Sequence, residues 1–299
     1  MTHVLTLIAA QASYTLDQSA ITRAGDILPA AGVPAWLSMD EACDIPFNPD
    51  ADVENTQIAD AVRQALQGAP IDIVCQRADK RRKRLLVADM DSTLIGQECI
   101  DEIADFVGLK AKVSDITERA MRGELEFEPA LRERVTLLKG VDEKTLLTIF
   151  DDRITLNPGA RTLARTMRSN GACTVIVSGG FTFFTSRVAQ ASGFDANQAN
   201  DLEIEEGKLT GRVIEPILGQ QAKLDALLQY REKLNLVNDE TLAVGDGAND
   251  LAMIMEAGLG VAYHAKPIVA AKAHARIDYC DLTSLLFAQG YARDEFVED

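Results

Sequence analysis

The chain has 299 residues, of which 47% are hydrophobic, and its 30 basic and 46 acidic side chains give a formal net charge of −16. This length can form a sizeable core and favours two domains. The acidic balance argues against a nucleic-acid or anionic-membrane surface, and no apolar stretch approaches the roughly 20 residues that span a bilayer.

Residues 1–79 are predicted to form a small α+β domain. The patterns of its strands and helices cover, in order, His3–Ala9 (strand), Leu16–Leu28 (helix), Ala35–Ser38 (strand), Ile58–Leu66 (helix) and Ile71–Cys75 (strand). The unit has no clustered His or Cys and no glycine-rich loop before a helix. A structural or regulatory role is therefore the default interpretation.

A basic run and a buried strand come next. Lys80–Arg84 can mark a nucleic-acid patch, but in so acidic a chain we interpret it as a solvated linker. Leu85–Ala88 is typical of a strand buried on both faces. Asp89 and Asp91 follow it with their side chains on one side of an extended backbone, where open α/β sheets bind ligands. Turn-forming acids explain this pair alone about equally well.

The stretch of about 97–165 has helical periodicity almost throughout. It is too long for a simple crossover between strands, so we expect a helical cap that excludes water from the strand ends. Arg134 lies on an apolar stripe with Phe127 and Leu131, and a buried guanidinium needs an anionic partner. A structural ion pair and a bound ligand both satisfy that need.

Strands and helices alternate again after the cap. Their patterns cover Cys173–Val177 (strand), Phe181–Ala191 (helix), Leu202–Thr210 (hairpin), Gln220–Leu234 (helix), Leu242–Val244 (strand), Leu251–Ala257 (helix) and Gly260–Tyr263 (strand), before a final short helix. Residues 80–299 are therefore predicted to form a parallel, doubly wound sheet. The predicted fold class is α/β with an inserted helical cap and a small N-terminal α+β domain.

Two of these later strands end in polar residues. Ser178, Gly179 and Gly180 lead into a helix, where glycines allow close approach of a ligand and free N–H groups attract an anion; a flexible, capped loop is an equal interpretation. Asp246 and Asp250 are each explained singly by a turn or a helix cap. Together, beside glycines at the same edge of the sheet, they favour a metal site. Hard carboxylate oxygens without His or Cys favour Mg²⁺.

Cysteine and histidine usage narrows the chemistry. The five cysteines are scattered without C-x-x-C spacing, which indicates reduced, mostly buried thiols. Three histidines give poor support for a His-built zinc site or a Ser-His-Asp triad. No basic region precedes an apolar one at the N-terminus, so we expect no signal peptide and a cytoplasmic protein. The oligomeric state is not fixed by the sequence.

Together the motifs resemble the haloacid dehalogenase superfamily of phosphotransferases. The segments that carry the resemblance are Asp89–Thr93, Ser178–Gly180, Lys223 and Gly245–Asp250. The match is closer still to the phosphoserine phosphatases, through Asp91–Leu94, Glu98–Ala104 and Leu131–Val135. It covers about residues 84–290. The first unit resembles, more weakly, a small amino-terminal regulatory-type domain of some bacterial members.

The resemblance implies Mg²⁺-dependent hydrolysis of phosphoserine, the last step of serine synthesis. Asp89 would be the nucleophile that forms an aspartyl-phosphate. Asp91 would protonate the leaving serine oxygen and then deprotonate water. Mg²⁺ would be held by the side chains of Asp89 and Asp246 and the backbone carbonyl of Asp91, with Asp250 in or near the layer around these ligands.

The resemblance also implies the substrate contacts. The groups near the phosphoryl oxygens would be Ser178, Gly179, Gly180, Lys223 and Asn249. Without the resemblance, Lys223 would be interpreted as a solvated lysine beside an apolar stripe. Arg134 would bind the substrate carboxylate and Glu98 its ammonium group, while Met121 and Phe127 would add apolar cover.

Other functions stay open at this level. A relative that acts on another small phosphate ester would keep the mechanism and lose the preference for a zwitterionic substrate. A phospho-accepting signalling module also combines acids, a Ser or Thr and a lysine on a parallel sheet, but the helical insertion and Asp91 argue against it. A third interpretation concerns residues 1–79. They would bind a ligand, with serine as the candidate, instead of having a structural role.

Overall fold

The computed structural model describes residues 1–50, 53–121 and 124–298, except for the side chain of Met121. The strands are β1 (His3–Ala9), β2 (Ala35–Ser38), β3 (Ala42–Phe47), β4 (Ile71–Arg77), β5 (Leu85–Ala88), β6 (Cys173–Phe181), β7 (Ala196–Glu205), β8 (Lys208–Ile214), β9 (Thr241–Gly245), β10 (Leu259–Tyr263) and β11 (Ala275–Ile277). The helices are α1 (Gln18–Gly25), α2 (Asn55–Ala65), α3 (Cys99–Phe106), α4 (Lys110–Met121), α5 (Phe127–Leu137), α6 (Glu143–Arg153), α7 (Ala160–Ser169), α8 (Thr182–Ser192), α9 (Gln220–Lys233), α10 (Leu251–Glu256), α11 (Pro267–Ala270) and α12 (Ser284–Ala288).

All of these strands belong to one sheet, in the order β2-β3-β1-β4-β11-β10-β9-β5-β6-β7-β8. The stretch from β11 to β7 is parallel, which confirms the predicted doubly wound sheet. Strand β5 is wholly buried. Leu85 and Val87 share a hydrophobic cluster with α9 and α10, and Leu86 and Ala88 share one with α7 and α12. Since β6 lies on one side of β5 and β9 on the other, the end of β5 is a topological switch point.

The predicted helical insertion is present as α3–α6 between β5 and β6. Each helix buries one apolar stripe against the others, through residues such as Ile103, Leu131 and Leu146. An isolated antiparallel bridge between Ile95 and Leu156 closes the base of the insertion. Helix α7 then returns the chain to β6.

The predicted hairpin is present as β7 and β8, which turn at Glu206-Gly207 with both residues at positive φ. It is longer than predicted because β7 begins alongside β6. The far end of the hairpin is hydrogen-bonded to the segment between α5 and α6. The N–H of Gly140 donates to the carbonyl of Leu209 at 2.8 Å, and the N–H of Leu209 donates to that of Val141 at 2.9 Å.

The N-terminal unit contains one strand that the sequence pattern missed, β3. Its Asp44 and Pro46 are residues that strands disfavour, yet β3 pairs with β1 on one side and β2 on the other. Helix α1 is shorter than predicted. It starts after Asp17, whose carboxylate accepts the N–H of Ala20 at 2.8 Å.

The N-terminal sheet continues into the parallel sheet through antiparallel pairing of Ile73 with Arg276. Helices α1 and α2 cover one face of its strands. On the other face, Ile8, Ala42 and Val74 join the hydrophobic cluster of the larger part. The two parts therefore share a sheet and a core, and the boundary at residue 79 stays a prediction.

The interpretation of Lys80–Arg84 as a solvated linker is wrong for two of its side chains. Arg81 donates to both carboxylate oxygens of Asp44, at 2.5 and 3.0 Å. Lys83 is 6% exposed, and its Nζ donates to the carbonyl of Asp239 at 2.7 Å. The partners lie 37 and 156 positions away, so no local pattern could predict these contacts.

The five cysteines are free thiols, and all but Cys173 are buried, as the sequence predicted. Across the three described ranges, none of the helices has both the length and the apolar character that crossing a membrane requires.

Candidate active site

A cavity of about 580 Å³ lies between the carboxyl ends of β5, β6 and β9 and the helical insertion. The structure brings together here most of the residues that the sequence singled out. Those that line the cavity are Asp89, Asp91, Glu98, Phe127, Arg134, Ser178, Gly179, Gly180, Asp246 and Asn249. Lys223 contacts Asp89 from below the lining, and Asp250 contacts Lys223.

The ammonium group of Lys223 forms a buried ion cluster at the floor of the site. Its Nζ lies 2.7 Å from Oδ1 of Asp89 and 2.6 Å from Oδ1 of Asp250. The three side chains are between 0% and 6% exposed. Burial disfavours the charged lysine, but Asp250 and Asp89 outweigh it and raise the pKa of Lys223. Lys223 is therefore no solvated lysine.

Three carboxylates converge at this floor. Asp89, Asp246 and Asp250 offer oxygens that all lie within 4.8 Å of one another. Three acids against one ammonium group leave surplus negative charge; burial, followed by Asp250, raises the pKa of Asp246 to about 6. An oxygen-only set of this charge fits a hard divalent cation. The group can therefore hold a metal ion.

Asp250 is already bound through both oxygens. Oδ1 contacts Lys223, and Oδ2 accepts the N–H of Gly247 at 3.0 Å. A Cβ atom on Gly245 would overlap the Asp250 carboxyl group, so glycine is needed where the strand passes it. These contacts favour the predicted place of Asp250 beside the metal ligands over a place among them.

Asp91 has contacts suited to carrying a proton. Its Oδ1 accepts the N–H of Cys99 at 3.0 Å, and its Oδ2 lies 3.5 Å from Oγ of Ser178. Desolvation, followed by the charge of Glu98, raises the pKa of Asp91 to about 7. A carboxyl group that titrates near neutral pH can give a proton to a leaving group and take one from water.

The loop Ser178–Gly180 forms the wall at the end of β6. Oγ of Ser178 accepts the N–H of Gly180 at 2.9 Å, so the loop folds back on itself. A Cβ atom on Gly180 would lie 2.9 Å from Oδ2 of Asp91. Only glycine therefore allows the loop to approach the acid this closely. Helix α8 begins at Thr182, and its N-cap residue Phe181 lines the cavity beside the loop.

Arg134 reaches the cavity from α5 and is half-buried. Its Nε donates to the carbonyl of Ala130 at 3.3 Å, and Nη1 donates to Oγ1 of Thr117 at 3.5 Å. Burial lowers its pKa, against the charges of Asp101 and Glu98. Within the described residues no carboxylate forms an ion pair with Arg134. The structural ion pair that the sequence left open is therefore not formed there.

Glu98 immediately precedes α3 and also lines the cavity. Its Oε1 accepts the Oγ–H of Ser92 at 2.8 Å. Ser92 has a φ of +56°, so the chain turns sharply between the acids of β5 and the first helix of the insertion. This turn brings Glu98 to the cavity wall.

Phe127, the first residue of α5, bridges the insertion and the sheet. Its ring atom Cζ would lie 3.2 Å from a Cβ atom on Gly179, and Cδ1 would lie 3.4 Å from one on Gly219. The ring therefore covers two backbone segments beside the acids, as predicted apolar cover would. Met121 ends α4, and its side chain lies outside the described residues.

Known proteins match more than half of the chain. The haloacid dehalogenase-like hydrolases match residues 86–255. A phosphoserine phosphatase of Albidiferax ferrireducens is 47% identical over 68% of this chain and 88% of its own length. This chain belongs to the phosphoserine phosphatase family. It spans 59% of the length of a phosphoserine phosphatase of Streptomyces coelicolor, which is 41% identical over 82% of the chain.

Solved phosphoserine phosphatase structures share the fold. A probable phosphoserine phosphatase from Vibrio cholerae, in unliganded form, has a TM-score of 0.76 at 32% identity over 98% of this chain and 88% of its own. A substrate-bound phosphoserine phosphatase complex has a TM-score of 0.63 at 39% identity over 68% of this chain and 97% of its own. The first likeness extends to the N-terminal unit. Family membership favours the hydrolase over the signalling module.

Two charged residues that the sequence analysis missed also line the cavity of this phosphoserine phosphatase family member, Lys266 and Asp101. The backbone N–H of Lys266 donates to the carbonyl of Asp246 at 3.2 Å, and its charge opposes the rise in the pKa of Asp246. A lysine just beyond strand β10 was the available signal. Asp101 lies in the first turn of α3, where the helix dipole alone explains an acid.

Proposed function

We propose that the protein hydrolyses O-phospho-L-serine to L-serine and phosphate through an aspartyl-phosphate on Asp89. The observation that supports this best is the pairing of two acids with a cap arginine. Asp89 and Asp91 lie at one strand end beneath Arg134, and Arg134 has no carboxylate partner among the described residues. The acid pair suits phosphoryl transfer, and the arginine suits a substrate that brings its own carboxylate. Relatives named phosphoserine phosphatase support the same substrate.

The proposed Mg²⁺ ligands are the side chains of Asp89 and Asp246 and the backbone carbonyl of Asp91, with Asp250 beside them. The converging carboxylates and their surplus charge support a divalent cation. When bound, Mg²⁺ would offset the repulsion between the phosphate and the carboxylates. It would also lower the raised pKa of Asp246.

Two proton transfers by Asp91 accompany the two displacements. A carboxylate oxygen of Asp89 bonds to phosphorus as the bond from phosphorus to the serine oxygen breaks, and Asp91 gives its proton to that oxygen. The Asp91 carboxylate then takes a proton from water, whose oxygen bonds to phosphorus and releases Asp89. A pKa of about 7 suits both transfers, because the protonated and the ionised form of Asp91 are both populated near neutral pH.

The phosphoryl oxygens are proposed to contact Ser178, Gly180 and Lys223, with Asn249 nearby. An ammonium group has three N–H donors, and Lys223 uses two of them on Asp89 and Asp250. The third is free to reach a phosphoryl oxygen. The N-terminus of α8 adds partial positive charge beside the same loop.

Recognition of serine is proposed to use the cap. Arg134 would bind the carboxylate with its fork of N–H donors, and Glu98 would accept the ammonium group. Both line the cavity, and within the described residues neither forms an ion pair with a side chain of opposite charge. Phe127 and Met121 would cover the substrate. We place this reaction at the last step of serine synthesis, in the cytoplasm, where reduced thiols are stable.

Phosphate release from matched esters tests the proposal. L-Phosphoserine should be the preferred substrate with Mg²⁺, and a chelator should abolish its hydrolysis. Phosphoethanolamine lacks the carboxylate and 3-phosphoglycerate lacks the ammonium group, so each should react more slowly. Equal rates on all three would discard the recognition by Arg134 and Glu98. If the protein hydrolyses neither phosphoserine nor the other esters, the catalytic assignment is wrong.

A further inference from the structure

The buried side chain of Asn200 on β7 joins two backbone segments of the site. Its Nδ2 donates to the carbonyl of Gly179 at 2.9 Å and to the carbonyl of Leu218 at 3.2 Å. Its Oδ1 accepts the N–H of Leu218 at 2.7 Å. The residue is 1% exposed, so these bonds are shielded from water. One amide thus uses both its N–H donors and its oxygen on the backbone.

The contact with Gly179 follows from an irregularity of β6. The pairing of β6 with β7 shifts register between Val177 and Phe181, and Phe181 lies opposite Asn200. Such a shift removes backbone groups from the ladder. The carbonyl of Gly179 lies in this irregular stretch, and the Asn200 amide supplies its donor.

Holding that carbonyl also orients a donor of the phosphate loop. The carbonyl of Gly179 and the N–H of Gly180 belong to one planar peptide group, so fixing the first fixes the direction of the second. The N–H of Gly180 donates to Oγ of Ser178 at 2.9 Å. The orientation of the Ser178 hydroxyl group therefore depends, through one rigid peptide, on Asn200.

The contact with Leu218 sets the start of α9. The Leu218 carbonyl shares a peptide group with Gly219, the N-cap of α9. Lys223 lies within the first turns of that helix and contacts Asp89 at 2.7 Å. Since a helix is stiff over one turn, fixing its N-cap fixes the axial position of Lys223.

We propose that Asn200 is a positioning residue, which sets the spacing between the Ser178–Gly180 loop and Lys223. It touches neither the substrate nor the reacting atoms. The inference rests on the proposed function in one respect, namely that this loop and Lys223 together hold the phosphoryl group. A misplacement of about 1 Å between such groups can slow a reaction by about 100-fold.

Asn200→Ser removes all three contacts without adding charge, and Asn197→Ser is its matched control. Asn197 lies on the same strand, and its Oδ1 accepts the Oγ1–H of Thr185 at 2.8 Å, away from the loop. With Mg²⁺ and phosphoserine, Asn200→Ser should lower kcat by about 10- to 100-fold, with a smaller change in KM. It should also weaken inhibition by inorganic phosphate. Asn197→Ser should leave both within about threefold of the parent even if it unfolds at a lower temperature.

A purely structural amide would give a different result. If Asn200→Ser lowers the unfolding temperature but leaves kcat and phosphate inhibition within about twofold in the folded protein, the proposal is overturned. Should that variant not fold, Asn200→Asp takes its place. It keeps the acceptor for the Leu218 N–H and loses the donor to Gly179, so unchanged phosphate inhibition there would overturn the proposal too.

Phosphate inhibition can be followed with p-nitrophenyl phosphate as the reporter substrate. A parent enzyme that hydrolyses this ester but not phosphoserine would contradict the proposed substrate alone. The comparison of Asn200→Ser with Asn197→Ser would still decide the role of Asn200.

Discussion

The backbone N–H of Cys99 donates a hydrogen bond to Oδ1 of Asp91 at 3.0 Å. Cys99 is the first residue of α3, so the helical insertion begins at a direct contact with the proposed acid. The bond occupies one carboxyl oxygen and leaves Oδ2 near Ser178 to carry the proton. The position of the acid and the start of the cap are therefore set together.

Replacing Asp91 by Asn should separate these two roles. The amide oxygen can still accept the Cys99 N–H, but the side chain cannot carry the proton. We expect kcat for phosphoserine to fall by about 10²- to 10⁴-fold while the unfolding temperature changes little. Asp105→Asn, on an exposed part of α3, is the control and should keep its activity. Steady-state kinetics compares the activity of the two variants, and full activity of Asp91→Asn would exclude Asp91 from the chemistry.

The pH dependence should report the raised pKa of Asp91. In the proposed mechanism, phosphoryl transfer to Asp89 needs Asp91 protonated, so kcat/KM should decline as pH rises above about 7. Glu98 raises this pKa after desolvation, and removing its charge lowers it. In Glu98→Gln the decline of kcat/KM at alkaline pH (the alkaline limb) should therefore begin at lower pH. In Glu102→Gln it should begin at the same pH as in the parent. An unmoved limb in Glu98→Gln would show that another group sets it.

Lys223→Met should destabilise the fold as well as abolish activity. It leaves Asp89 and Asp250 buried without their ammonium partner. Breaking a buried ion cluster in this way costs about 3–5 kcal/mol of unfolding free energy. Lys233→Met, on the exposed end of the same helix, should cost under about 0.5 kcal/mol. Denaturant unfolding of both variants measures the difference, and similar losses would argue against the buried cluster.

Gly180→Ala should lower activity through a steric contact. The new Cβ would lie 2.9 Å from Oδ2 of Asp91 and 3.1 Å from Oγ of Ser178, so at least one of these groups must move. We expect a loss in kcat/KM of about 10- to 100-fold. Gly25→Ala has no heavy atom within 4 Å of its Cβ and should behave like the parent. Equal activity of both variants would mean that the loop has room that the structure does not show.

Asp72→Ala should loosen the joint between the two parts of the chain. The Asp72 carboxylate accepts the N–H groups of Asp278, Tyr279 and Cys280 at 2.7–3.2 Å. Leaving these donors without an acceptor should cost on the order of 3 kcal/mol. Asp60→Ala, at an exposed ion pair, should cost much less. Thermal unfolding compares them, and kcat measured on folded protein should be unchanged in both.

The sequence carried the acids of the site because their signal is local. Asp89, Asp91 and Asp246 each lie within three residues of the end of an apolar run. Parallel strands bring such ends to one edge. Ser178–Gly180 had the same kind of signal. Lys223 had none of its own, because its partners come from β5 and from the turn after β9, and only the family resemblance identified it.

The features that the sequence did not predict depend on contacts between residues far apart in the chain. Strand β3 contains Asp44, whose carboxylate pairs with Arg81, 37 positions away. Asn200 is one amide in a strand, and its proposed role depends on the place where β6 departs from regular pairing, 21 positions earlier. Propensity and periodicity describe neighbours in the chain, so they contain no information on such pairs.

The ring of Phe127 lies over Gly179 and Gly219, the two segments that Asn200 joins. Such a contact affects how fast the product is released, in addition to shielding the site from water. In the proposed reaction, we expect the serine product to leave past this ring, and α5 to move away from the sheet first. We therefore expect cap opening to limit the turnover number at saturating substrate, so that a smaller side chain at residue 127 should shorten the time for which the product stays bound.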